Sequence, residues 1–247
     1  NMLITDSKKF YEKWLKDIAD CQNKQDGHVQ YTAPFMGGAG GPGGWGGAIV
    51  LIPYALYKRF NDKSVIDKYF ANMKLFVNYM ESHCVNGLVS YAEDGGYCLG
   101  DWGFPEGKKI PEDFVNTFFL VLCLGRMQEM AKAIGNFADE KIFIEKQEFY
   151  KKAIVEKYYD KVTHSFCSGE QGADAFAREI GLGDKVTAEN LAEKYSKKQY
   201  YDTGIFGTYY LTKVLFDYGY YDVAYKLLTC DKKPSFGYLK NNGATTL

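Results

Sequence analysis

An aspartate next to a tryptophan, framed by glycines, is the residue pair of this 247-residue chain best suited to chemistry. Asp101 and Trp102 lie between Gly100 and Gly103. An indole ring can stack on the apolar face of a sugar, while a carboxylate accepts hydrogen bonds from hydroxyl groups or transfers a proton. In the competing interpretation, Asp101 caps a helix beside a buried tryptophan. The pair therefore predicts either a carbohydrate site or a structural cap.

A second candidate ring, Trp45, lies in a run of eight glycines and one proline at positions 37–47. Because glycine has no side chain and loses much backbone entropy on folding, the run predicts a flexible loop and not a core element. Gly38, Gly40 and Gly43 also form a G-x-G-x-x-G motif, which indicates a dinucleotide only after a strand within a βαβ unit. The flanking segments are helical in pattern. We therefore predict an aromatic-bearing loop at the mouth of a helical scaffold.

Other acidic and aromatic residues occur in loops of the same kind and complete the candidate active face. Asp94 lies in the long segment that also contains Asp101, Asp202 precedes a Thr-Gly pair, and Phe236 lies in a Pro-Ser-Phe-Gly-Tyr segment near the end of the chain. The surplus of 21 Tyr and 17 Phe residues also suits a protein that handles amphipathic ligands such as sugars. An aromatic-rich helical core explains that surplus equally well.

Composition and charge argue against several other classes of function. Thirty basic and 31 acidic residues give a net charge of −1 and no basic stripe, so we expect no nucleic-acid partner. The three histidines are scattered, and the six cysteines include no closely spaced pair, so neither set has the spacing of zinc ligands. We expect neither a metal nor a cofactor. We find no apolar span of membrane length and expect no membrane partner. The compartment stays open between the cytoplasm and the periplasm.

The elements that must position these residues are helices. Apolar residues recur at three- and four-residue spacing in one segment after another, and no strand alternation persists. We predict a long irregular loop over residues 85–113, a helix cap at Thr187 and a loop from residue 233 onward. Ser165 and Phe166 suggest a short extended piece. The predicted helices cover residues 6–21, 48–60, 64–84, 114–134, 138–158, 170–182, 188–197, 203–218 and 221–229.

Long loops rich in glycine, aspartate and aromatic residues alternate with short ones, which predicts stacked helical hairpins whose long loops share one face. An α-solenoid and an α/α toroid both fit this pattern. The hairpins differ in length and show no fixed repeat, so we favour the toroid, as one domain over residues 1–247. The same absence of near-equal repeats argues against a third function, a repeat-type protein-interaction module.

Several motifs, taken in order along almost the whole chain, resemble the catalytic domain of bacterial α-L-rhamnosidases, glycoside hydrolase family 78. Each motif is weak alone, but the ordered set is specific. The motifs are Gly-Gly-Trp-Gly at 43–46 followed by residues 48–53, Gly-Asp-Trp at 100–102, Thr-Gly-Ile-Phe-Gly-Thr at 203–208, Pro-Ser-Phe-Gly-Tyr at 234–238 and Gly-Ala-Thr-Thr at 243–246.

The resemblance implies an (α/α)6 barrel and an inverting hydrolysis of terminal α-L-rhamnosides. In such a reaction one carboxylic acid protonates the leaving oxygen, and a second carboxylate activates water. The family's general acid belongs to a motif ahead of the segment matching residues 6–21, and its general base to a Trp-Glu pair after Gly-Ala-Thr-Thr. We thus expect no catalytic residue within the chain, with Asp101 and Asp94 as fallback candidates. About nine predicted helices, where six hairpins need twelve, indicate the central part of such a domain.

The chain departs from the family pattern at three sugar-pocket positions. Gly47 replaces an aspartate, Tyr200 replaces a histidine, and Phe236 replaces a tryptophan. These departures support an alternative function, a non-catalytic carbohydrate-binding or scaffold protein. An unclosed toroid would also expose apolar helix faces, which predicts homo-oligomers. The residues predicted to bind the carbohydrate are Trp45, Asp101, Trp102, Tyr200, Asp202 and Phe236.

Overall fold

Helices make up most of the chain in the computed structural model, which describes residues 5–37, 39–105 and 109–245. Apolar side chains at three- and four-residue spacing give each helix a face that packs on its neighbours. The predicted all-α class is confirmed. Within the described ranges the α-helices are α1 Lys8–Cys21, α2 Ala48–Phe60, α3 Ser64–Ser82, α4 Glu112–Ala133, α5 Phe137–Tyr158, α6 Ala173–Glu179, α7 Lys185–Lys198, α8 Ile205–Asp217, α9 Tyr221–Thr229 and α10 Phe236–Asn241.

Two short antiparallel hairpins interrupt the helices. β1 (Cys84–Val85) pairs with β2 (Leu88–Val89), so the predicted irregular loop after residue 84 begins as a hairpin. Its turn, Asn86–Gly87, has positive φ at both residues, as a tight two-residue turn requires. The second hairpin pairs β3 (Tyr159–Asp160) with β4 (Ser165–Phe166), where the sequence suggested an extended piece.

Contacts divide the chain into two compact units. Unit 1 comprises Asn1–Gly100 and Glu112–Ile154, and unit 2 comprises Asp101–Pro111 and Val155–Leu247. The interpretation of residues 1–247 as one domain stays a prediction.

In unit 1 the core lies around α4, which is buried on nearly all sides from Phe114 to Leu124. Side chains of α1, α2 and α3 pack in the same core. Its fully buried members include Leu15, Ile49, Leu56, Ile66, Met73, Phe76, Phe118 and Met127.

The glycine-rich segment is packed into unit 1, and the prediction of a flexible loop was wrong. Glycines 41, 43, 44, 46 and 47 are all buried. A Cβ atom on Gly43 would lie 2.7 Å from the Asn116 amide oxygen, and one on Gly44 would lie 2.5 Å from the Phe119 ring. Glycine is therefore needed for close approach of the backbone to α4. Gly38 of the G-x-G-x-x-G motif lies outside the described residues.

In unit 2 the core is formed by α6, α7, α8 and α9 around Tyr195, Leu211 and Leu215. The cap of α7 is Asp184, whose carboxylate accepts the Thr187 N–H at 3.0 Å. Thr187 is the third helical residue and bonds back to the Asp184 N–H, so the prediction of Thr187 as the cap was wrong.

Two further corrections concern unit 2. The predicted helix over residues 170–182 is shorter, because Cys167–Gly172 forms a 3-10 segment with left-handed residues and α6 begins only at Ala173. The tail is not all loop, since Ser235 accepts the Tyr238 N–H and starts α10. The end of the Gly-Ala-Thr-Thr motif, Thr246, lies outside the described residues.

Large apolar side chains are exposed on several helices. Phe137 is 67% exposed, Phe149 60% and Tyr225 65%. Self-association through such faces stays a prediction. Across the described ranges no helix combines the length and the apolar character needed to cross a lipid bilayer.

Candidate functional site

Asp101 lies at the N-terminus of α8, where its carboxylate accepts three backbone hydrogen bonds. The Gly204 N–H donates to Oδ2 at 2.7 Å, and the N–H groups of Phe206 and Gly207 donate to Oδ1 at 3.0 Å each. The Ile205 N–H donates to the carbonyl oxygen of Trp102 at 2.9 Å. Residues 101 and 102 thus satisfy four consecutive N–H groups that a helix start leaves without intrahelical partners.

This arrangement explains the glycines of the Thr-Gly-Ile-Phe-Gly-Thr motif. Gly204 is the N-cap of α8 and has no side chain with which to cap it. A Cβ atom on Gly204 or on Gly207 would lie closer than 3.0 Å to the Asp101 carboxylate. The motifs Gly-Asp-Trp and Thr-Gly-Ile-Phe-Gly-Thr are therefore separate in sequence but contact each other, and together they form the capped start of α8.

The electrostatics of Asp101 reflect two opposing effects. The residue is only 3% exposed, and this burial raises the pKa of its carboxyl group. The three backbone N–H groups work in the opposite direction, because they stabilise the charged form at the positive end of the helix dipole. The structural-cap interpretation of Asp101 describes these contacts. Its roles in proton transfer and in direct sugar contact stay predictions.

Trp102 differs sharply from its neighbour, since it is 55% exposed. Its backbone is held by the bond from Ile205, so an anchored main chain carries an exposed aromatic face. A cleft of about 260 Å³ lies beside Gly103, the next residue. Its lining combines aromatic and hydroxyl side chains, as sugar sites do. The lining residues are Gly103, Phe104, Pro105, Tyr201, Thr203, Thr208, Pro234, Ser235, Phe236 and Leu239.

Phe236, one of the predicted sugar-binding residues, lines this cleft from α10. Its ring lies 5.6 Å from the ring of Tyr201 and is partly buried. A wider opening of about 920 Å³ continues past Phe236 toward Ile205 and Tyr209. The structure therefore brings Phe236 and Gly103, the neighbour of Trp102, to the same cleft.

Asp202 and Tyr200 lie close by in sequence but have different surroundings. Asp202 is 7% exposed, and its carboxylate accepts bonds from the Tyr195 hydroxyl at 2.5 Å and from the Lys198 ammonium at 2.6 Å. Tyr200 is partly exposed, with the Lys198 ammonium 5.1 Å from its ring centre. The Asp202 carboxylate thus ties the segment before α8 to α7, and its contact with a sugar stays a prediction.

Trp45 and Asp94, the remaining candidates, belong to unit 1. Trp45 is partly buried in the packed glycine segment, and Asp94 is exposed in a turn. Their roles as sugar-contacting and fallback catalytic residues stay predictions.

Glu93, next to Asp94, is a charged residue that sequence reasoning missed. Its carboxylate accepts the Tyr79 hydroxyl at 2.6 Å and lies 3.2 Å from His28 Nε2 and 3.3 Å from His83 Nε2. Burial works to raise the pKa of Glu93, but the Tyr79 hydrogen bond and the two imidazoles outweigh it, and the pKa is lowered. In the sequence, this cluster around Glu93 was indicated only by the four-residue spacing of Tyr79 and His83, which places both residues near one face of α3. Within the described ranges no three His, Cys, Asp or Glu side chains are arranged to hold a metal ion.

Asp174 in unit 2 is a second buried carboxylate outside the predicted set. It is 3% exposed and accepts the Phe166 N–H at 2.7 Å. Burial raises the pKa of Asp174 to about 6, against the opposing effects of Phe166, Ser165 and Lys194.

The chain is thus a protein of packed helical hairpins in which an exposed tryptophan, Trp102, is held at the start of a helix. Over residues 1–247 the sequence matches the family described as bacterial alpha-L-rhamnosidase 6 hairpin glycosidase domain. The chain belongs to this family. The match confirms the predicted family and its fold of helical hairpins, and the predicted toroid is consistent with the solved structures of relatives.

Several proteins named alpha-L-rhamnosidase are similar to this chain. An alpha-L-rhamnosidase of Streptomyces avermitilis is 31% identical over 98% of the chain and 23% of its own length. A structure of the S. avermitilis enzyme complexed with L-rhamnose aligns with a TM-score of 0.86 over 98% of the chain and 23% of its own. The Dictyoglumus thermophilum enzyme aligns with a TM-score of 0.85 and 27% identity over 98% of this chain and 28% of its own. The chain thus spans about a quarter of the length of these relatives.

Proposed function

We propose that this chain supplies the sugar-pocket scaffold of a glycoside hydrolase that releases terminal α-L-rhamnose with inversion. Family membership supports the class of activity, and the similar S. avermitilis enzyme is complexed with L-rhamnose in its crystal structure. The observation that carries the proposal within the chain is Trp102. It presents an exposed ring from a backbone that the Ile205 N–H holds in place, and the next residue, Gly103, lines a cleft with aromatic and hydroxyl groups.

The chemistry of the sugar explains this choice of ring. L-rhamnose is a 6-deoxy sugar, so one side of the molecule presents a methyl group and C–H bonds that pack well on an indole face. The hydroxyl groups on its other side need polar partners. Thr203, Thr208 and Ser235 line the cleft and carry hydroxyl groups that can donate and accept such bonds.

An inverting reaction needs two carboxyl groups roughly 6.5–9.5 Å apart, one as acid and one as base. By the family resemblance both belong to motifs that the 247 residues do not contain. Asp101 is buried and bonded to three N–H groups, and Asp202 is bonded to Tyr195 and Lys198. We therefore assign binding, and not proton transfer, to the described residues of unit 2.

A non-catalytic carbohydrate-binding protein is the second candidate, and the replacements at Gly47 and Tyr200 favour it. Gly47 has φ −56° and ψ −14°, which any residue can adopt, but it is buried, and a Cβ atom there would lie 3.1 Å from the Gly44 carbonyl oxygen. The packing of the glycine segment in this chain therefore leaves little room for an aspartate at this position. Hydrolysis of an aryl α-L-rhamnoside by the protein would decide against this candidate.

The proposal is tested by calorimetric titration of the chain with L-rhamnose, L-mannose and D-glucose. We expect saturable binding of L-rhamnose, weaker binding of L-mannose, which carries a hydroxyl group where rhamnose has only the methyl hydrogen, and none of D-glucose. Equal binding of the three sugars, or binding of none, would contradict the proposal.

A further inference from the structure

We propose that Asp101 is a positioning residue, whose carboxylate anchors Trp102 to the start of α8 and so fixes the ring for the sugar. The inference rests on the proposed function of Trp102 and adds a role for its neighbour. It differs from a direct sugar contact, because the carboxylate acts only through the tryptophan.

Asp101 and Trp102 are adjacent in sequence but differ in burial, which indicates different roles. Asp101 is 3% exposed and its carboxylate contacts the backbone of α8, while Trp102 is 55% exposed. The carboxylate side of the dipeptide is thus directed into unit 2, and the ring is accessible to a ligand. The Trp102 carbonyl is also fixed by the Ile205 N–H, so the main chain is held on both sides of the Trp102 Cα.

The position requires a carboxylate and not merely a polar group. Asp101 offers two acceptor oxygens, and the three N–H groups of Gly204, Phe206 and Gly207 use both. Asparagine has one acceptor oxygen, and its amide N–H₂ would face either the Gly204 N–H or the other two donors. It would also remove the negative charge from the positive end of the helix dipole. The first turn of α8 has no substitute, since its N-cap Gly204 lacks a side chain.

The contacts of Asp101 leave little room for another role. The carboxylate already accepts three backbone hydrogen bonds, and the residue is only 3% exposed, so a sugar hydroxyl or a leaving oxygen has little access to it. The geometry therefore favours action through the adjacent ring.

The test uses the chain labelled with 5-fluorotryptophan and observed by fluorine NMR. Three tryptophans give three signals, and the Trp102→Phe variant identifies the signal of Trp102. The substitution Asp101→Asn is compared with Asp174→Asn, a matched control in the same unit that is equally buried and also accepts a backbone N–H. Each variant is then titrated with L-rhamnose.

In the sugar-free spectrum, we expect the Trp102 signal to shift and broaden in Asp101→Asn and to stay unchanged in Asp174→Asn. L-rhamnose binding should weaken in Asp101→Asn alone, by no more than about five- to tenfold, because the carboxylate acts only through the ring and the ring contact is worth on the order of 1 kcal/mol. If Asp101→Asn does not fold, Gly207→Ala keeps the charge, displaces the carboxylate and should shift the same signal.

An unchanged Trp102 signal in Asp101→Asn, or an equal change in Asp174→Asn, would overturn the positioning role. Failure of the parent chain to bind L-rhamnose would count against the proposed function instead. The sugar-free comparison would still decide whether Asp101 positions the ring, so the two failures are distinguishable.

Discussion

Three buried aspartates in unit 2 show how the surroundings of a carboxylate determine what it can do. Asp101 accepts bonds from the backbone at the start of α8, Asp202 accepts bonds from Tyr195 and Lys198, and Asp174 accepts the Phe166 N–H near Ser165 and Lys194. Burial raises the pKa of both Asp101 and Asp174. The pKa of Asp174, about 6, lies well above the ordinary value of 3.8, so protonation of this carboxyl group should affect stability in an accessible pH range.

The Asp174→Asn substitution should change the pH dependence of stability. The folded-state pKa of about 6 lies above the ordinary value of 3.8, so the folded chain binds this proton more tightly than the unfolded chain does. The contribution of Asp174 to stability is therefore present at low pH and is lost as the pH rises from about 4 to 6, by on the order of 3 kcal/mol. A neutral asparagine should abolish this loss.

Urea unfolding of the parent and of Asp174→Asn between about pH 4 and pH 7.5 measures the effect. Relative to the parent, the free energy of unfolding of the variant should increase as the pH rises from about 4 to about 6 and should level off above that range. A difference between the two proteins that stays constant over this range would contradict a raised pKa.

At the scale of elements, the start of α8 depends on contacts across 103 positions of sequence, from Asp101 to Gly204. Inside a helix, alanine normally stabilises by about 0.8–1.0 kcal/mol relative to glycine. At Gly207, however, a Cβ atom would collide with the Asp101 carboxylate and with Thr203, whose Cβ would lie 2.8 Å away. The steric effect should exceed the helix preference.

Gly207→Ala should therefore destabilise the chain by about 1–3 kcal/mol, the usual cost of overpacking. The control is Gly125→Ala within α4, where the added Cβ would meet only the end of the flexible Gln147 side chain, whose Nε2 donates to the Val121 carbonyl oxygen at 3.2 Å. This side chain can move away at the expense of one hydrogen bond, so the change should be less destabilising than Gly207→Ala. Thermal unfolding of both variants measures the difference. Equal stability of Gly207→Ala and the parent would show that the contact is not tightly packed.

The elements also show what local sequence can and cannot predict. The spacing of apolar residues gave the bounds of α2 and α9 as observed, because a helix face is a local pattern. Helix α10 has only six residues, too few for a periodic signal. The packing of Gly44 against Phe119 and the bond from Gly204 to Asp101 join distant segments, so no local pattern indicates them. Local patterns therefore predicted the helices and candidate residues but not the contacts among them.

At the scale of the whole molecule, family membership and the local site support the same function from different directions. The family match covers residues 1–247, while the chain spans about a quarter of the length of its relatives. The named activity of those relatives belongs to proteins with segments beyond the matched quarter. Sugar binding by Trp102 is the part of the proposed function that the described residues can perform.

The most direct test is the dissociation constant of L-rhamnose for the parent and for Trp102→Ala, measured by calorimetry. Because an aromatic contact is worth on the order of 1 kcal/mol, binding should weaken about five- to tenfold. The control is Tyr225→Ala, which removes a similarly exposed ring (65%) from α9, away from the start of α8 and from the residues that line the cleft. It should leave the affinity unchanged. An unchanged affinity for L-rhamnose in Trp102→Ala would contradict the assignment of Trp102 to the sugar site.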